Sequence, residues 1–207
     1  MEEWVLALAA SPWVFVATYL LCMIDGFFPP VPSESVVIAL AVLSSSSGAP
    51  NLVILAVVAA LGAFCGDQIA YVIGRKIDLP NSRLSRTRRG ARAIEVATRT
   101  LTKRGALYIF AARYVPIGRV AVNMTAGSIR YDRRHFLTLT SLSALVWSVY
   151  SIALGLSASA WFDDHPLVAM IVGIVLGVVI GAAVEWLLAL VRRWRVARSK
   201  TPVARSH

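Results

Sequence analysis

Apolar residues in this chain gather into five runs separated by short polar or basic segments, and the runs are of two kinds. Three are uninterrupted: 52–74, 136–160 and 167–191. Each has the roughly 20 residues a helix needs to cross about 30 Å of hydrocarbon, so three transmembrane helices are predicted. The other two runs are broken near their middles. In 12–43, Pro29, Pro30 and Pro32 remove amide donors and restrict the residues before them, which forbids one continuous helix. In 105–129, Pro116 and Gly118 interrupt the run. Each limb of a broken run has about ten residues, about 15 Å at helical rise, and reaches roughly the bilayer midplane. Both runs are therefore predicted to enter and return as re-entrant hairpins. For the first run, a single transmembrane helix extended through Trp4 is the competing arrangement.

In chain order this gives hairpin, span, basic segment, hairpin, span, final span. One unit is used twice, and the flanking charge makes the two uses opposite. Segment 75–104 carries ten basic residues, Arg130 to Arg134 adds three, and the tail, 192–207, adds six, whereas Glu2 to Glu3 and 44–51 carry none. Basic loops stay in the cytoplasm, so the second hairpin opens inward, the first opens outward, and the C-terminus is cytoplasmic. Oppositely oriented repeats are a transporter signature. Within 75–104, Leu84, Ala91, Ile94, Ala97 or Thr98, and Leu101 recur at helical spacing among arginines. This suits an amphipathic helix on anionic lipid, or a solvated basic linker that fixes orientation.

The composition agrees. Hydrophobic residues make up 57% of 207, well above the roughly 45 to 50% of soluble domains, so the expectation is an all-α integral membrane protein with one membrane domain, 1–191. Glu2 and Glu3 stand where a cleaved signal would carry positive charge, so the first run is expected to stay in the protein. The formal charge of +10 could suit nucleic acid, but the basic residues flank apolar spans and form no domain with interleaved aromatics. Cys22 and Cys65 have neither metal nor redox spacing, and no cofactor or metal is expected.

The chemistry resides in charges at membrane depth, which cost roughly 2.5 to 3.5 kcal/mol each on insertion scales. Asp25 and Glu34 flank the prolines of the first hairpin, and Arg113 and Arg119 flank those of the second. Non-helical backbone survives at that depth only inside protein or along a wet cavity, so the two tips are expected to meet. Arginine matches phosphate bidentately and keeps its charge, which makes Arg113 and Arg119 candidates for an anionic headgroup. Asp25 and Glu34 are candidates for taking up protons or a monovalent cation. The plainer reading is that all four form buried salt bridges clamping the hairpins, although buried pairs are poor net stabilisers. Asp67, about 12 Å along its helix from the basic end, ranks as a secondary polar site or a helix contact beside Gly62 and Gly66. Glu185 reads as structural. Gly173, Gly177 and Gly181 make a smooth packing face, within the fold or in a homodimer. Asn123-Met-Thr125 matches a glycosylation sequon inside a hairpin, where no transferase would reach, and is discounted.

Three motifs in order carry a family resemblance: Asp25 to Glu34 with its prolines, Gly66-Asp67-x3-Tyr71-x2-Gly74-Arg75, and Phe110-x2-Arg113-x2-Pro116-x2-Arg119 ending in Ala126-Gly127. With them the chain resembles the DedA family, also called SNARE-associated or VTT-domain membrane proteins, over roughly 25–156. The resemblance implies two re-entrant hairpins plus transmembrane helices, with Asp25, Glu34, Arg113 and Arg119 at the positions of the family's essential acids and arginines. It further implies transport of undecaprenyl phosphate or a phospholipid, driven by the proton motive force, in a bacterial plasma membrane. Asp25 stands where many members carry Glu, and Ser33 where many carry Gly. An ion or small-solute antiporter using the same cavity, and a non-transporting assembly factor, are the alternatives. A lipid phosphatase is disfavoured because the only histidines, His135, His165 and His207, fall in loops or the tail.

Overall fold

The computed structural model describes residues 11–28, 31–77, 86–113 and 116–161, together with positions 168, 171, 172, 175, 176 and 179. The predicted span 167–191, its Gly173, Gly177, Gly181 and Glu185, and the tail 192–207 thus lie outside the described residues apart from isolated positions. Among the described residues the regular elements are helical: α1 (Trp13–Asp25), α2 (Ser33–Ser47), α3 (Leu52–Ile77), α4 (Arg88–Ala112), α5 (Pro116–Ser128) and α6 (Arg133–Trp161).

Local chemistry sets the boundaries. The Asn51 carboxamide oxygen accepts from the Val53 and Ile54 amides at 2.9 and 3.1 Å and starts α3, and Arg75 and Lys76 sit in its last turn, where the helix dipole favours cations. Gly48, at φ +74°, closes α2 by donating its amide to the Ser44 carbonyl at 2.9 Å. Pro116 opens α5, where a missing amide costs nothing. At the other end of α5, the Tyr131 amide reaches the Ala126 carbonyl at 2.9 Å and the Arg130 amide reaches Gly127 at 3.1 Å, with Arg130 left-handed at φ 54°. The Asp132 carboxylate then accepts from the His135 amide at 2.8 Å and starts α6.

Two helices, α3 with 26 residues and α6 with 29, are long and apolar enough to cross a membrane. They correspond to the predicted spans 52–74 and 136–160 with a few residues added. Val53, Ile54, Val57 and Leu61 on α3 and Leu142, Leu145, Val146 and Val149 on α6 are exposed, a continuous apolar surface of the kind that lipid covers. The shorter α1 and α2 have 13 and 15 residues. The predicted join between the basic segment ending at 104 and the hairpin beginning at 105 falls inside α4, which runs unbroken from Arg88 to Ala112. Gly105 does not break the helix because it serves as a contact, with the Tyr131 ring packed over it.

Paired residues fix the directions. Along α3, Gly62 faces the Tyr19 carbonyl and Gly66 faces Met23 and Gly26, so α1 runs alongside α3 in the same direction. Asn123 meets Asp67, and Gly127 meets Tyr71 and Arg75, so α5 also runs parallel to α3. By the same reasoning α2 parallels α6, with Ile38 at Gly155 and Ser45 hydrogen-bonded to Ser159 at 2.7 Å. Likewise α4 parallels α6, through Tyr131 over Gly105 and Ser143 at Arg113. The Tyr71 and Phe136 rings, 4.6 Å apart, and the Gln68 to Thr140 hydrogen bond show α3 and α6 running in opposite directions. Each long helix therefore holds one limb of the hairpin before it and one limb of the other hairpin. The α1–α2 hairpin opens toward the Leu52 end of α3, the α4–α5 hairpin toward the Arg75 end, and both turns arrive beside Asp67.

Candidate functional site

Six elements deliver charge or hydrogen-bonding groups to one buried point, five of them charged groups and α6 the Ser143 hydroxyl. Asp25 is the last residue of α1, where the prolines end the helix. Ser33 and Glu34 begin α2, with Glu34 in a first turn whose dipole favours an acid. Asp67 sits mid-way along α3. Arg113 follows the last residue of α4, and Arg119 lies in the first turn of α5.

Asp67 is the centre. Its side chain is 0% exposed, one oxygen accepts Arg113 Nη1 at 2.6 Å, and the other accepts Asn123 Nδ2 at 2.8 Å with Arg119 Nε 3.6 Å away. Arg119 also reaches the second acid, its Nη2 standing 3.1 Å from Asp25 Oδ2, which in turn accepts the Ser33 hydroxyl at 2.6 Å. Arg113 is further held by donating to Ser143 Oγ at 3.0 Å and by lying 5.8 Å from the Trp147 ring centroid, within cation–π range. The chain of contacts runs Ser33, Asp25, Arg119, Asp67, then Arg113 and Asn123.

Three donors are left over. Arg113 Nε, Arg113 Nη2 and Arg119 Nε are buried and have no hydrogen-bond partner among the described residues. Unmet guanidinium donors buried this deeply are expensive, since leaving a buried charged group unsatisfied costs more than the 1 to 3 kcal/mol of a neutral one. Two cations and two carboxylates balance, and Glu34, half-buried and with no cation within ion-pair distance among the described residues, adds a third negative group.

The tips of the two hairpins do bring Asp25 and Arg119 together. Arg113 pairs not with an acid of the first hairpin but with Asp67, which the sequence ranked second because counting along one helix cannot show what the neighbouring hairpins bring to it. Asn123, discounted as an accidental sequon, is 2% exposed and part of the network. Its signal was available, since four residues after Arg119 on a helix is the same face. Ser33 and Ser143 gave no signal, because a lone serine in a helix usually bonds only its own backbone.

The VTT domain family matches residues 31–157. An alkaline phosphatase-like protein of Lactococcus lactis subsp. cremoris is 30% identical over 156 residues, covering 72% of this chain and 71% of its own. Undecaprenyl phosphate transporter A of Staphylococcus aureus is 27% identical over 160 residues, 73% of this chain and 77% of its own. Protein DedA of Escherichia coli is 26% identical over 187 residues, 84% of this chain and 82% of its own. No solved structure matches.

Proposed function

The chain belongs to the VTT-domain family of membrane proteins, and on that premise we propose that it is a transporter that moves a phosphate-bearing lipid, undecaprenyl phosphate or a phospholipid, across the bacterial plasma membrane. The observation that carries this reading is the set of three unpartnered guanidinium donors where the two hairpins meet. Phosphate supplies several acceptor oxygens in the geometry arginine matches.

In this reading both hairpins are re-entrant. At 1.5 Å per residue, α1 and α2 are about 20 and 22 Å long, short of roughly 30 Å of hydrocarbon, and their turn lies beside the middle of α3. The two triplets α1–α3 and α4–α6 form an inverted repeat with the C-terminus in the cytoplasm. The polar crevice between hairpin tips takes the headgroup while the tail stays in lipid, covered by the exposed apolar faces of α3 and α6.

Charge balance supplies the coupling. With all groups ionised, the cluster of Asp25, Glu34, Asp67, Arg113 and Arg119 carries one negative charge, and an anionic headgroup would enter against it. Protons on Asp25 and Glu34 reverse the sign and free Arg119 Nη2, so headgroup binding and proton uptake favour one another. Release on the other side sends the protons with their gradient.

The test is translocation of labelled undecaprenyl phosphate and phosphatidylethanolamine in proteoliposomes, with and without a pH gradient, by wild type and Arg119→Ala. Movement that needs Arg119 and responds to the gradient supports the proposal. Folded protein that moves neither lipid refutes it and favours ion antiport. Release of inorganic phosphate from the lipid would instead point to hydrolysis, the activity named for the Lactococcus relative.

A further inference from the structure

Asn123 is the one neutral side chain that holds a carboxylate of the cluster from within the second hairpin. It sits one helical turn after Arg119 on α5, and both face Asp67. The Asn123 amide occupies Asp67 Oδ1 at 2.8 Å, the oxygen toward which Arg119 Nε also points at 3.6 Å, while Arg113 holds Oδ2 at 2.6 Å. Of the roughly two acceptor sites on Oδ1, Asn123 fills one at hydrogen-bond distance, and Arg119 Nε stands beyond that distance.

We infer that Asn123 is a positioning residue: it competes with Arg119 for Asp67 Oδ1, which leaves Arg119 as the guanidinium that exchanges carboxylate for substrate phosphate and Arg113 as the one that stays on Asp67. This rests on the phosphate-binding reading above. Arg113 then offers its free Nε and Nη2 without moving, and Arg119 adds Nε and, once Asp25 lets go, Nη2. Without the Asn123 amide, Oδ1 draws Arg119 fully onto α3, and Asp67 becomes a trap for both arginines. The charged and titratable groups around this point are Cys22 and Asp25 on α1, Glu34 on α2, Asp67 on α3, Arg113 from the end of α4 and Arg119 on α5. From α6, among the described residues, the neutral Ser143 and Trp147 face it.

Leucine matches asparagine in size and carries no donor, whereas a protonated aspartic acid keeps both the shape and a donor, so the two variants separate the donor from the packing. Undecaprenyl phosphate transport in proteoliposomes is expected to fall about tenfold in Asn123→Leu at every pH and to stay within about threefold of wild type in Asn123→Asp at about pH 6, the loss of one hydrogen bond to a charged group. Asn123→Asp can donate to Asp67 only while protonated, so its transport is expected to fall as the pH is raised from about 6 to about 8, beyond any fall in wild type. Wild-type transport by Asn123→Leu, or a pH profile for Asn123→Asp that follows wild type, assigns Asn123 to packing and overturns the inference while leaving the transport reading intact. Wild type that moves no phosphate lipid overturns both.

Discussion

Gly66 of α3 lies so close to Gly26, at the end of α1, that a Cβ on Gly66 would stand 2.7 Å from the Gly26 Cα. No side chain fits between the two backbones. Asp25 and Asp67 are their immediate neighbours, so this contact sets the spacing of the two acids that share Arg119. Gly66→Ala is expected to cost about 1 to 3 kcal/mol by overpacking and to abolish transport by moving Asp25 off Arg119. Thermal unfolding in detergent, read beside transport, checks this, and an unchanged midpoint would contradict the close approach.

The two acids are expected to differ in kind. Removing Asp67 strands Arg113 in a fully buried position, which costs about 3 to 5 kcal/mol for a broken buried pair. Asp25 is 15% exposed at its side chain, and loss of its bond to Arg119 is expected to cost about 1 to 3 kcal/mol. Asp67→Asn should therefore unfold at markedly lower temperature than Asp25→Asn, with both inactive. Equal midpoints would show that Asp67 is not the anchor.

Exchanging charges tests which pairs exist. Arg119→Asp combined with Asp25→Arg restores one opposed pair and is expected to recover stability relative to either single change, without transport. Asp25→Arg with Arg113→Asp sets Asp67 against a new acid and is expected to remain unfolded. Yield of monodisperse protein distinguishes them.

Asp132 stands in the polar turn before α6, outside the membrane-spanning helices, and the His135 amide holds its carboxyl below the usual carboxylate range. A carboxylate with a depressed folded value adds stability above its unfolded value, and that stability fades as pH falls through the folded one. Asp132→Ala is thus expected to lower the melting temperature at pH 7, with the difference from wild type shrinking at about pH 3. A difference that persists in acid would rule out capping by the charged form.

How legible the molecule was depended on whether a feature is local. The prolines at 29, 30, 32 and 116 broke two apolar runs where helices end, and unbroken runs marked α3 and α6, because backbone chemistry and hydrophobicity act along the chain. The meeting of Asp25 with Arg119 followed from the cost of lone charges in lipid. The rank of Asp67 did not, since it depends on two hairpins arriving at the same level of α3 from opposite ends. The join at 104/105 says nothing of where a helix ends, because a change from basic to apolar composition marks an environment, and a helix can pass through it unbroken, as α4 does.

The order in which the ribosome makes these groups has a consequence for assembly. Asp67 precedes Arg113 by 46 residues and Asp25 precedes Arg119 by 94. At about 5 to 20 residues per second, the acids wait roughly 2 to 9 s and 5 to 19 s for their partners. During that interval Asp25 and Asp67 lack the arginines they pair with in the folded chain. The interleaved limbs extend the same dependence to packing. A chain stopped before Arg113 leaves α3 without α5 and α2 without α6, so neither half has its packing partners until the other has been synthesised.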